Sequence, residues 1–382
     1  MTGGLTILVS GMVASDPGQG GATWAVLQYL LGLRRLGHRP VLIEPITDEK
    51  LCGSAMAESR AAEYFGQVVR QFGLGPDAAL LRVGTTETVG ASYGTLVGLA
   101  SKADLLLNIA GMLTDSELVG RPARRAYIDL DPAFTQLWHS VEGIDMRLAG
   151  HERHVTVGLQ IGTPQCTIPT CGADWIRTPP FVALDAWPVG RVLLHDAFTT
   201  VGNWRGYGSI VHNGVRYGQR AHSVRDLIDL PGELQTELRL AFDIHPDEHE
   251  DLALLRDHGW NIIQPRSVAT TPDEYQRFVA GSKAEFGVAK SGYVVSRSGW
   301  FSDRSACYLA SGRPVVAQDT GFDAVLPVGK GLLHYRTVDE AAEAIRTVER
   351  DYEEHRLAAR RLARQHLSAE VVLPRLLGTL LS

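Results

Sequence analysis

The chain has 382 residues, 45% hydrophobic and 21% charged, which is too long for one ordinary hydrophobic core and predicts a globular protein of two domains. A formal net charge of -6 offers no basic face for nucleic acid or an anionic membrane, and no apolar run reaches the length needed to span a bilayer. The opening MTGGLTILVSG lacks the charged start and apolar core of a signal peptide and reads as a first strand, so a cytoplasmic enzyme without stable membrane insertion is expected.

In chain order, Leu5 to Ser10 (LTILVS) is a short β-branched apolar run bounded by glycines and predicts a buried strand. A loop, GMVASDPGQGGA, follows, then a helix from about Thr23 to Leu36 that Gly37 and His38 end, then a strand over Pro40 to Glu44. Strand, loop, helix and strand make a βαβ unit, hence a parallel sheet with helices on its faces. Further strands are expected at Leu105 to Ile109 and Ala126 to Leu130. The proline-rich stretch Arg177 to Gly190 is the expected linker, dividing the chain into domains 1–185 and 186–382. Beyond it, strands are expected at Arg191 to Leu194, Leu238 to Phe242, Asn261 to Gln264, Glu285 to Ala289 and Pro314 to Ala317, and from about Val338 the tail reads as amphipathic helix. Active sites in such pairs of α/β domains lie in the cleft between them, at the carboxyl ends of the strands.

Gly18, Gly20 and Gly21 precede the first helix, and Glu44 ends the second strand where a ribose-binding acid would sit. The spacing is nevertheless wrong for a G-x-G-x-x-G dinucleotide fingerprint, since seven residues separate Ser10 from Gly18 and Thr23 takes the third glycine's position. What remains is that Gly20 and Gly21 at a helix N-terminus let an anion or sugar approach backbone N–H groups, or simply close a βα turn. Cys166 and Cys171, with His151 and His154 upstream, can be drawn as a zinc site, but the C-x4-C spacing is loose, and a buried thiol pair without metal is the expectation.

The densest signal is Ser298 to Thr320, SGWFSDRSACYLASGRPVVAQDT: a turn, a short helix capped by Ser302 or Asp303, a Ser311-Gly312 stop and a strand ending in Gln318-Asp319. Free N–H groups at that helix start, with Arg304 beside them, suit phosphate, and Gln318 and Asp319 are placed to accept hydrogen bonds from sugar hydroxyls. A capped helix followed by an ordinary turn is the alternative.

This small-Ser-Gly-x-Pro-Val-Val pattern after a short helix resembles the donor-binding segment of GT-B glycosyltransferases of the group 1, or family 4, kind, and GQGGATWAVLQYLLGLRRLGHRPVLIE resembles the same superfamily's opening loop, helix and second strand. The resemblance implies two Rossmann-like domains facing across a cleft, a second domain that binds a nucleotide diphosphate sugar, and no metal or other cofactor. Counted back from Gly312, the phosphate-binding turn falls on Asp303, Arg304 and Ser305, while the acid that many members place on the ribose falls on Cys307 and an E-x7-E pair is absent, marking a divergent branch. The resemblance also directs attention to Thr199, Thr200 and Asn203 in AFTTVGNW for the phosphates, to Gln264 for the nucleobase, and to Lys290 at the cleft mouth for phosphate.

For chemistry, an inverting transferase needs a base on the acceptor side. Asp131 in DLDP, His151 and His154 are the candidates, with Asp131 preferred and Asp16 a further option; Asp129 and Asp131, two apart along a strand, face the same side. The expected activity is glycosyl transfer to a small-molecule or glycan acceptor. A sugar-nucleotide epimerase and a non-catalytic sugar- or nucleotide-binding protein are the competing readings.

Overall fold

The computed structural model describes residues 4–382. Eight strands build the first sheet: β1 (Thr6–Ser10), β2 (Arg39–Ile46), β3 (Ala78–Arg82), β4 (Thr88–Gly90), β5 (Leu105–Ile109), β6 (Arg125–Asp129), β7 (Arg153–Thr156) and β8 (Trp175–Arg177). Their order is β4-β3-β2-β1-β5-β6-β7-β8, parallel except at β3/β4. The second half contributes β9 (His195–Asn203), a small hairpin of β10 (Ile210–His212) and β11 (Val215–Tyr217), then β12 (Glu237–Asp243), β13 (Asn261–Ile263), β14 (Ser282–Gly287), β15 (Val315–Gln318) and β16 (Leu332–Tyr335). Apart from the hairpin these form a six-stranded parallel sheet, β13-β12-β9-β14-β15-β16. Strand order reverses between β1 and β5 in one sheet and between β9 and β14 in the other, and α/β folds open their binding crevices at such switch points.

Three expectations about the elements change. RVLL, expected as the strand that opens the second domain, is exposed irregular chain, with Val192 at 63% and Leu194 at 53% exposure. The strand is the following segment, whose central residues Ala197 to Thr200 are all buried, because a central parallel strand needs cover on both faces and the β-branched run FTTV supplies it. The first helix begins at Gly20, not Thr23. No side chain caps it; instead the Gly20 N–H donates to the Ala269 carbonyl of the second domain at 2.8 Å. The chain also does not stay in the second domain to its end. The last helix, Ala369–Leu381, crosses back to pack on the helix Gly20–Arg35, where Gly32 leaves room for Leu373 and Ala369.

The seam between the halves is apolar. One continuous core cluster runs from Trp24 and Trp187, whose rings lie 4.7 Å apart, through Tyr275 to Phe301 and Tyr308. A short antiparallel bridge joins Gly158 to Trp300, with Gln160 N–H donating to the Ser298 carbonyl at 3.0 Å. An interface of this kind holds two domains in one arrangement, unlike the polar interfaces of freely hinging pairs. What it leaves open is a cleft on one side.

Candidate functional site

The cleft has a volume of about 790 Å³ and opens between the carboxyl ends of the two sheets. Its first-domain wall is the loop and helix start from Pro17 to Ala25. Glu44 shapes that loop: fully buried, its carboxylate accepts from the N–H groups of Ala14 and Ser15 at 2.7 to 2.9 Å and from the Ser15 hydroxyl. The acid that sits where a ribose ligand would in a dinucleotide site is therefore committed to holding the loop, and burial pushes its carboxyl upward. Gly20 is needed for contact, since a Cβ there would clash with the carbonyl of Thr271 in the second domain. Its N–H is already used, so Gly21, which lines the cleft against Tyr275, is the glycine exposed to a ligand.

The second-domain wall is cationic, with Arg220, Lys290 and Arg304 side by side. Arg304 is an ion-pair member: Nε lies 2.6 Å from Glu285 Oε1 and Nη1 donates to the Val201 carbonyl at 2.8 Å. Burial opposes its charge, but Glu285 more than offsets this and drives the guanidinium upward. Arg220 is different. Its Nε donates to the Val288 carbonyl at 2.8 Å and its Nη1 to the Asn203 carbonyl, so its partners are main-chain oxygens rather than a carboxylate. Burial, with Arg304 as a neighbouring like charge, pulls it down to about 10. Gly202 leaves the space that this guanidinium fills. Arg60 and Arg266 add two more cations at the rim.

Lys290 joins the domains. Its Nζ lies 3.0 Å from Asp131 Oδ2 and 3.2 Å from Oδ1, and over the rings of Tyr207, Phe134 and Tyr293 at 4.3 to 5.1 Å. Tyr207 donates to Asp131 Oδ2 at 2.6 Å, and the Tyr293 hydroxyl donates to Oδ1. Burial lowers the Lys290 ammonium, with Asp131 opposing. Asp131 is thus engaged by three donors from the second domain, so no acceptor hydroxyl reaches its lone pairs without displacing one of them. It serves as the anchor of Lys290, and its position argues against the role of free base. Asp129, two residues earlier, is a buried cap that takes the hydroxyls of Thr135 and Thr156, the Gln136 amide and the Asp131 N–H.

Of the residues expected at the donor site, Gly21, Asn203, Gln264, Lys290, Asp303 and Arg304 line the cleft together with Asp131. The rest do not. Thr199 and Thr200 lie inside β9, because the segment read as a loop is the strand itself; the Thr199 hydroxyl bonds Ser282 and Tyr308, and the Thr200 hydroxyl is buried without a partner. Ser305 is buried within the first turn of the helix, and Ser302 provides the cap, accepting from the Arg304 N–H at 3.2 Å. Gln318 accepts from the Ala289 N–H at 3.2 Å. Asp319 is held by Arg336 at 2.7 Å, by Arg297 and by the Gly321 N–H, and neither member of this pair lines the cleft.

His151 and His154 sit away from the cleft lining, beside Tyr127 and Trp175. His151 contacts the Asn108 amide at 3.1 Å and burial pushes its imidazole down, while His154 Nε2 bonds the Leu148 carbonyl at 3.0 Å. Among the described residues, the metal-type ligands that converge are Asp319, Asp323 and His334, and the first is already spent on arginines. Cys307, in the place of the ribose acid, is buried on the face toward the first domain, where its sulfur accepts from Gln28 Nε2 at 3.5 Å. Reading the sequence missed Arg220, Tyr207 and Asp243. Asp243 ends β12 in the cleft, as strand-end position alone suggests, whereas YGQRAHS carries no motif and one arginine among many gave no signal.

Residues 233–377 match the model of a family described as glycosyl transferase-like. No curated protein sequence matches the chain at significance. Among solved structures, Anabaena HepE, determined with UDP and glucose, is 12% identical at a TM-score of 0.61, covering 98% of this chain and 99% of its own. An alpha-glucosyltransferase solved with UDP-glucose and DNA gives 10% and 0.60, with both chains fully covered. A glycosyltransferase from Rickettsia africae gives 10% and 0.56, covering 98% of this chain and 97% of its own. At such identities these structures establish the architecture, two Rossmann-like domains of the GT-B type, and the family model speaks for the second domain. No helix among the described residues is long and apolar enough to cross a membrane. The chain thus carries a glycosyl transferase-like segment over residues 233–377 within a GT-B fold shared along its whole length with these structures.

Proposed function

We propose that the protein moves a glycosyl group from a nucleotide diphosphate sugar to the hydroxyl of a small-molecule or glycan acceptor, in the cytoplasm and without a resident metal. The observation that carries this is Arg220: a buried guanidinium facing the cleft, held by backbone carbonyls and lacking a carboxylate partner. A buried cation left uncompensated by the protein calls for an anion from the ligand. The donor diphosphate supplies it, with Arg220 and Lys290 as its partners and Arg304, fixed by Glu285, contributing field rather than a free fork. Charge that a divalent ion carries in other phosphoryl sites is carried here by side chains. The nucleobase lies along Gln264 to Ala269, and Asp243 takes the ribose hydroxyls in place of the acid that Cys307 replaces. A net charge of -6 favours a small molecule or glycan over nucleic acid as acceptor.

Preorganised cations aimed at the leaving diphosphate stabilise the charge that develops as the glycosidic bond breaks. The test is a thermal-shift and calorimetric series with UDP-, GDP-, ADP- and dTDP-sugars, beginning with UDP-glucose because HepE is solved with UDP and glucose. Stabilisation by one donor, lost in Arg220→Gln, is expected. No binding by any of them sinks the reading, and conversion of a bound donor to an isomer without an acceptor would make the enzyme an epimerase.

A further inference from the structure

Beside the cleft lies a second, partly open chamber of about 140 Å³, lined by both domains. Its walls are Tyr29, Leu130, Val157, Phe181, Trp300 and Phe301. Tyr29 meets Phe181 edge-on at 4.7 Å, and Trp300 stacks on Tyr293 at 4.5 Å, so the aromatic walls are fixed by neighbours. Gln28 also borders the chamber, but its amide is spent: Oε1 accepts from the Ala183 N–H at 2.7 Å and Nε2 donates to Cys307. The polar groups left to a ligand are the Tyr29 hydroxyl and the Asp303 carboxylate. Asp303 and Ala25 line both the chamber and the cleft, which makes Asp303 the post between the two spaces. Unlike Asp131 and Glu285, Asp303 has no basic side chain locked onto its oxygens; only the start of its own helix offers it hydrogen bonds.

Resting on the donor reading above, the geometry points to this chamber as the acceptor subsite, taking a single-ring phenol or aryl alcohol whose hydroxyl faces Asp303. A dry apolar cavity of about 150 Å³ is enough to hold benzene, so one ring fits, whereas a pyranose, with hydroxyls on every carbon, finds only the Tyr29 hydroxyl and the Asp303 carboxylate as partners there. In a direct displacement, the acceptor O–H bond breaks and its proton passes to the Asp303 carboxylate. The acceptor oxygen bonds the anomeric carbon, and the bond from that carbon to the diphosphate oxygen breaks, its electron pair leaving on the nucleoside diphosphate beside Arg220 and Lys290. Burial pushes the Asp303 carboxyl up, with the Arg304 charge and the hydrogen bonds of its helix start opposing.

The test uses the full chain with phenol as probe, read by tryptophan fluorescence and thermal shift, and transfer from whichever donor binds. Phenol should bind without donor. Val157→Phe, which fills the chamber but does not border the cleft, should abolish phenol binding and keep donor binding; Val157→Ala should shift preference from phenol toward 2-naphthol, covering the case in which the larger side chain prevents folding. Asp303→Asn should still bind phenol while transfer to it falls at least about a hundredfold. A donor-binding protein that ignores phenol, a Val157→Phe protein that binds it normally, or an unchanged ring preference in Val157→Ala overturns the assignment. Phenol binding in a protein that binds no donor would sink the donor reading and leave the chamber standing.

Discussion

Across the cleft, the second domain sets Arg220, Lys290 and Arg304 against a first-domain wall of Pro17, Gly18, Gly21, Ala22 and Ala25. One wall carries charge that the protein only partly neutralises; the loop facing it is uncharged and shaped by the buried Glu44, and the first domain's charges at the cleft are Arg60 and Asp131. Even the cations differ among themselves. Arg304 and Lys290 each face a carboxylate, whereas Arg220 does not, so the first two are parts of the scaffold as well as of the site. The difference teaches where a mutation is read: in stability for a paired charge, in binding for an unpaired one.

The strongest test of that contrast is Arg304→Ala. Glu285 is fully buried and its Oε2 already lacks a partner, so removal of the guanidinium strands the charge. Chemical denaturation should show a loss of about 3–5 kcal/mol. A stable variant that merely binds donor poorly would erase the distinction between the two arginines. Arg220→Gln comes next, with donor affinity in calorimetry falling by about 1.5–3 kcal/mol as a charged hydrogen bond is lost. The same residue gives a pH signature. Its folded value of about 10 lies below the ordinary arginine value, so donor affinity should decline as pH rises through about 10. Between those values the unfolded chain binds more protons, and the ligand-free protein gains stability from this group as pH rises.

Behind the uncharged loop, Gly20→Ala should cost about 1–3 kcal/mol in thermal unfolding, because the added carbon meets the Thr271 carbonyl and forces the seam apart. The smallest effect is expected for Thr200→Val. The hydroxyl is buried without a partner, so stability should stay level or rise by about 1 kcal/mol and donor affinity should not move. A tenfold drop in affinity would return this segment to the phosphate site.

Much of this architecture is legible in the sequence, since buried parallel strands are short apolar β-branched runs and the expected strands at Leu105 to Ile109 and Leu238 to Phe242 fall inside β5 and β12. The errors share a cause. AFTTVGNW reads as a loop only if RVLL is the strand, and nothing in either segment states which one is covered on both faces. Gln318 and Asp319 stand at a strand end as a sugar site requires, yet Ala289 and the arginines 297 and 336 had first claim on them. Position along a strand predicts where a side chain emerges and says nothing of which partner reaches it first.

Composition, charge and periodicity alone determined a two-sheet α/β protein, and the resemblance in the segment that starts the helix at Asp303 supplied its densest ligand signal. Those properties follow from local burial and backbone geometry, which each segment carries within itself. Tertiary structure decided the rest: which cation is left unpaired, that Asp131 is occupied by Lys290 and two tyrosines, and that a chamber beside Asp303 is lined by both domains. Each of these depends on pairs of groups far apart in the chain, and whether a charge is free to act is a property of the pair.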